Sequence, residues 1–186
     1  MKSRKRISII ANSNNASVND INKRYADLIL EYAQNSDSII MNGGCNGIIE
    51  YINNKIEKNN IRNKIFSPAI NDEEQKEIYK YTLNNLMCIY EHSDDYSLNY
   101  RFVDRSMKMI EESDWVFVFY GMWGTLSELT FATMFGKNIV FVVEEGRVQL
   151  LNVYNIVSTI NNYNYNEKVY IVNTYEDMMK LLKDIL

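Results

Sequence analysis

Arg105 and Glu128 are the two residues of this sequence whose setting suits them to act on a bound molecule. Arg105 belongs to a helical pattern in which Leu98, Phe102, Arg105 and Met109 recur at i, i+4, i+7 and i+11, spacings that share one face. A guanidinium on an otherwise apolar stripe needs a partner, because burying it alone is very costly. That partner is either a nearby carboxylate, such as Asp94 or Asp95, or a ligand. Glu128 lies one turn into a second helical pattern, which follows Tyr120-Gly121-Met122-Trp123-Gly124-Thr125. Thr125-Leu126-Ser127-Glu128 fits a capping box, in which the glutamate reaches back to the cap N–H. It also fits a carboxylate held beside whatever the loop amides bind.

Those amides point to phosphate. The apolar run Trp115–Phe119 passes through glycines into a helix start, which brings unpaired backbone N–H groups and the positive end of a helix dipole to one place. Gly121, Met122, Trp123, Gly124 and Thr125 are therefore the candidate phosphate-binding residues. Asn42-Gly43-Gly44-Cys45-Asn46-Gly47 repeats the arrangement between Ser38–Met41 and a helix marked by Ile48, Ile49, Ile52 and Ile56. Gly43, Gly44 and Gly47 could line the same pocket, although such glycines also serve tight turns and close helix packing. Asn12 and Ser13, after the strand Ile7–Ala11, complete the candidate loops. A dinucleotide site is disfavoured, since no acidic residue ends the next strand, Lys64–Phe66, to hold a ribose. Cys45 is either a reactive thiol near a helix start or a small filler. Met107, Met109, Met122 and Met134 read as core or pocket lining.

The remaining elements alternate strand with helix. Val18 to Tyr32 recurs at helical spacing behind a candidate Ser17 cap, Asn71–Tyr81 is a loop or surface helix, and Leu86–Tyr90 is a strand before the polar loop Glu91–Tyr96. Leu98–Ser113 is a helix, and Ile139–Val143 a strand. A helix near Val148–Ile160, the Asn-rich turn Asn161–Asn166, the strand Val169–Val172 and the helix Tyr175–Leu186 complete the chain. The order predicts one α/β domain over residues 1–186: a Rossmann-like open parallel sheet of about six to seven strands with helices on both faces. Right-handed crossovers then bring the glycine loops to the carboxyl edge of the sheet, where such folds bind ligands.

Composition narrows the function. A net charge of −4 argues against nucleic acid as a partner, because phosphate backbones call for a clustered basic face. Lys2-Ser3-Arg4-Lys5-Arg6 is the one basic cluster, read as a solvated terminus ahead of a strand. No apolar run reaches the ~18 residues of a membrane span, and no signal-peptide core follows the start, so a cytoplasmic protein with free Cys45 and Cys88 thiols is expected. A single histidine, His92, supports neither a zinc site nor a histidine-based triad, so no metal is expected.

Together these motifs resemble the Lonely Guy family of cytokinin-activating nucleotide phosphoribohydrolases. The family's Gly-Gly-Gly-x-x-Gly-Leu-Met is similar to Asn42-Gly43-Gly44-Cys45-Asn46-Gly47-Ile48-Ile49. Its Pro-Gly-Gly-x-Gly-Thr-x-x-Glu is similar to Tyr120 through Glu128, and its Met-x-x-Arg-Lys falls on Phe102-Val103-Asp104-Arg105-Ser106. The resemblance implies a homodimer that takes a nucleoside 5′-monophosphate with a purine-type or modified base. It implies hydrolysis of the N-glycosidic bond to free base and ribose 5-phosphate, with Arg105 and Glu128 as the catalytic pair and no cofactor. Asn42, Ser106, Tyr120, Met122 and Ser127 depart from the family pattern. A positive φ at Met122 would be strained for methionine. The alternative is a binding module of the same superfamily that senses a nucleotide or nucleotide-derived signal without turnover.

Overall fold

Alternation along three short strands builds the centre of the molecule. In β1 (Arg6–Ile10), Ile7 and Ile9 face one side of the sheet and Ser8 and Ile10 the other; in β5 (Trp115–Val118), Trp115 and Phe117 oppose Val116 and Val118. β6 (Asn138–Val142) repeats this with Val140 and Val142 against Ile139 and Phe141. Both faces are apolar, so both must be covered, which is the condition for a parallel sheet.

In this computed structural model, which describes residues 4–13, 18–142, 152 and 168–185, the sheet has seven parallel strands. Their order is β4-β3-β2-β1-β5-β6-β7, with β2 at Ile39–Asn42, β3 at Asn63–Phe66, β4 at Cys88–Ile89 and β7 at Val169–Val172. Helices α1 (Asp20–Ser36), α2 (Ile48–Asn59) and α6 (Tyr175–Ile185) bury Ile29, Ile52 and Leu182 in the core on one face. Helices α4 (Leu98–Glu112) and α5 (Trp123–Met134) bury Met109, Ile110, Leu129 and Ala132 on the other. The chain is a single α/β Rossmann-like domain, as the sequence predicts.

Several local expectations change. α1 is capped by Asn19, whose side chain accepts from the Asn22 N–H; Ser17 lies outside the described residues. The Val148–Ile160 helix, except for Asn152, the Asn161–Asn166 turn and Val143 also lie outside them. Asn71–Tyr81 contains a helix, α3 (Asp72–Tyr79), with Asn71 accepting from the Glu74 N–H at 2.9 Å. β4 is far shorter than Leu86–Tyr90, since it pairs only with β3, through Cys88 and Ile89.

Strand order reverses between β1 and β5: the chain builds outward from β1 to β4, then returns to lay β5 beside β1. Connections after these two strands leave in opposite directions, which opens a crevice at their carboxyl ends. Backbone bonds from Phe119 N to Ile10 O (3.0 Å) and from Asn12 N to Tyr120 O (2.8 Å) hold its two lips in register.

Candidate functional site

A cavity of about 350 Å³ lies in that crevice, within the usual ~300–1,000 Å³ of small-molecule sites. Each surrounding layer contributes to it: Asn12 and Ser13 after β1, Gly43 and Cys45 after β2, Tyr79 from α3, Phe102 and Arg105 from α4, and Met122 through Thr125 with Glu128 from α5 and its lead-in. Nine of the twelve site residues read from the sequence therefore meet at one cavity.

The other three are Gly44, Gly47 and Gly121. Gly44 takes φ +66°, and its carbonyl turns away to accept from Gln75 Nε2 (2.9 Å) and the Tyr81 hydroxyl (2.8 Å). Gly47 precedes α2 at φ 76°. Gly121 is packed by Thr125, whose Oγ1 would stand 1.9 Å from any Cβ there. These glycines shape the loops, and the cavity wall is built by their neighbours. Asn42 also serves the loop, giving its Nδ2–H to Asn53 Oδ1 at 2.8 Å and accepting the Gly44 N–H at 2.9 Å.

Arg105 is only 9% exposed and Glu128 only 6%. Nη1 of Arg105 lies 3.3 Å from Glu128 Oε1, so the arginine's partner is Glu128 and not Asp94 or Asp95. The same Oε1 accepts from the Ser106 hydroxyl at 2.9 Å, which places Ser106 in the site although the sequence marks it only as a departure. α5 begins at Trp123 with Met122 before it and no side-chain cap, so Thr125 and Glu128 do not form a capping box. Burial raises the Glu128 pKa above the usual carboxylic range, against the pull of Arg105 and Ser106. Burial works against the Arg105 charge, but Glu128, Tyr79 and Cys45 together outweigh it and the guanidinium is held more firmly protonated than usual.

Met122 is extended at φ −117°, so the strain expected of a positive φ is absent, and its side chain is 60% exposed. Trp123 is 78% exposed beside it at the mouth. Nothing lies within 4 Å of a Cβ built on Gly124, so the start of α5 has free space before it. Ser127 faces away, donating to Trp123 O at 3.0 Å. Burial pushes the Cys45 thiol up to about 12, so it stays protonated and fills space. His92 lies off the cavity, 3.7 Å from Asp104. Among the described residues no group of three or more His, Cys, Asp or Glu could hold a metal ion. None of the described helices is long and apolar enough to cross a membrane.

Solved structures share this architecture. A molybdenum cofactor binding protein from the phototrophic bacterium Rippkaea orientalis is 17% identical with a TM-score of 0.72, over 100% of this chain and 99% of that one. The Moco carrier protein of Chlamydomonas reinhardtii is 11% identical with a TM-score of 0.65, over 99% and 100% of the two chains. DNA processing protein A from Helicobacter pylori, with its single-stranded DNA binding mode, is 18% identical with a TM-score of 0.69, over 98% and 82%. No curated protein matches at a significant level. The DNA-binding neighbour overturns the exclusion of nucleic acid drawn from a net charge of −4. Net charge averages a whole surface, whereas single strands are held by a local groove and by stacking on aromatic side chains. The kinship read from the three motifs holds as a Rossmann-like fold of the SLOG superfamily rather than as the Lonely Guy family itself. A family model covering residues 4–179 identifies the chain as a member of the SLOG cluster4 family.

Proposed function

We propose that this chain is a binding module for a small phosphorylated ligand bearing a heterocycle, a nucleotide or a nucleotide-derived signal. One observation carries the proposal: α5 starts without a side-chain cap, and Trp123, Gly124 and Thr125 of its first turn lie on the wall of the cavity between the β1 and β5 loops. Its first N–H groups and the helix dipole suit a phosphate, with the dipole contributing up to ~2 kcal/mol in a partly buried setting. Exposed Trp123 at the mouth offers a flat face for the ring. The neighbours named for binding or carrying the molybdenum cofactor, and the one named for binding single-stranded DNA, support a binding role. The test is calorimetric titration of the protein with inorganic phosphate, AMP and GMP. A carboxylate introduced by Gly124→Asp enters open space, so the fold should persist while affinity for phosphate-bearing probes falls at least tenfold. Unchanged affinity in that variant would remove the helix start from the site.

A second reading, hydrolysis of a nucleoside monophosphate to free base and ribose 5-phosphate, draws on the buried Arg105–Glu128 pair in the same cavity. In that reading Glu128 stabilises the oxocarbenium-like sugar or orients water, a role worth roughly 10² to 10⁴ in rate. Chromatography of a nucleotide incubation decides it: base must be released by the wild type and not by Glu128→Ala.

A further inference from the structure

Two residues that line the cavity each carry a buried polar atom with no hydrogen-bond partner among the described residues: the Tyr79 hydroxyl and Arg105 Nε. Tyr79 is 7% exposed and Arg105 is 9% exposed, so bulk water does not serve either. An unsatisfied buried donor costs about 1–3 kcal/mol, and native proteins keep few of them. Both belong to one electrostatic neighbourhood, since Arg105 lowers the pKa of Tyr79 and Tyr79 supports the charge on Arg105. Burial dominates at Tyr79 and raises its pKa well above the ordinary phenol range, so it remains a neutral O–H donor. Its ring is fixed edge-on to Phe102, with centroids 6.3 Å apart, and the Arg105 guanidinium lies 5.8 Å from the Phe102 ring.

Charge decides what these donors can take. Arg105 is already matched by Glu128 at 3.3 Å, so this part of the wall has no net positive charge to offer an anion. The uncapped start of α5 is the better place for a phosphate. We propose that the Tyr79 hydroxyl and the Arg105 Nε–H bind an uncharged oxygen acceptor of the ligand, a sugar hydroxyl or a ring carbonyl, and so select what is attached to its phosphate. The proposal rests on the phosphorylated-ligand reading above and deepens it. Tyr79 is a specificity residue in this account, and α3 is the element that delivers it.

Calorimetry with inorganic phosphate, ribose 5-phosphate and inosine monophosphate tests this on the wild type and on Tyr79→Phe, which keeps the ring and removes the hydroxyl. A sugar contact is read from ribose 5-phosphate binding more tightly than inorganic phosphate, and a ring carbonyl contact from a gain made only by inosine monophosphate. Tyr79→Phe should weaken the favoured probe about tenfold, leave inorganic phosphate unchanged, and leave the free protein's Tm unchanged or higher, because an unpaired donor is removed. Equal binding of the favoured probe by wild type and variant overturns the proposal, as does a lower Tm of the free variant, which would show a partner within the protein. If inorganic phosphate binds and neither organic probe gains on it, the proposal alone fails. If no probe binds, the phosphorylated-ligand reading falls with it.

Discussion

Gly43 lacks a side chain where Arg105 needs the space: a Cβ there would stand 1.6 Å from Nη1 and 2.4 Å from Cζ of the guanidinium. Its conformation plays no part in this, since Gly43 is not among the positive-φ glycines. The guanidinium is wedged between the β2 loop and Glu128, so small changes in the loop should pass to the ion pair. Gly43→Ala must displace a buried charged group, and overpacking of this kind costs typically about 1–3 kcal/mol. Urea denaturation should show that loss. Arg105→Ala removes the obstacle, so adding Gly43→Ala to it should cost much less than Gly43→Ala costs alone, a non-additivity that a double-mutant cycle measures. Simple additivity would mean that the loop accommodates the methyl group without touching Arg105.

At the level of elements, α3 matters most because it brings Tyr79 to the site and because its sequence conceals it. A surface helix is recognised by an apolar stripe, but α3 docks through polar groups. Gln75, wholly buried, donates to Gly44 O at 2.9 Å and accepts from the Ser67 hydroxyl, while Glu74 takes both Arg101 Nη1 and Nη2 at 2.7 Å. Such pairings join residues far apart in the chain and leave no periodic trace. By contrast α4, α5 and the central strands carry their apolar pattern openly, and Arg105, Glu128 and the loop after β5 were legible from it. Ser106 and Tyr79 were not, because each acquires its role from a neighbour on another element. The Arg101 hydrogen bonds, more than any other contact, hold the Glu74 pKa below the ordinary 4.5. A carboxylate with a depressed folded pKa contributes stability that is present above 4.5 and is lost as the pH falls through its lower folded value. Glu74→Gln should therefore cost about 1–3 kcal/mol at pH 7. The gap to wild type should shrink towards pH 3 in urea titrations. A gap that stays constant with pH would show that the ion pair does not hold α3 in place.

Across the whole molecule, the cavity sits where the two halves of the sheet meet. Strands β1 to β4 supply Asn12, Gly43 and Cys45 through their loops, and β5 with α5 supplies Gly124, Thr125 and Glu128. Among the described residues the backbone bond from Asn12 N to Tyr120 O ties the two lips of the crevice, and a ligand there should act as a further tie between the halves. Arg4 and Arg6 of the basic cluster lie away from this edge: Arg4 pairs with Asp37 and Arg6 with Asp114, at the opposite ends of the strands. Under the binding reading, affinity drawn from the dipole and hydrogen bonds of the crevice should appear as global stabilisation. At a hundredfold excess over its own Kd, a ligand specific for the folded state adds about 2.7 kcal/mol, which for a chain of this size raises Tm by roughly 5–11 °C. The best-binding nucleotide should produce that shift equally in far-ultraviolet circular dichroism and in tryptophan fluorescence, which reports on buried Trp115 and exposed Trp123. A fluorescence change with no accompanying rise in Tm would mean that the nucleotide stacks on tryptophan as well in the unfolded chain as in the folded one, without using the crevice that joins the two halves.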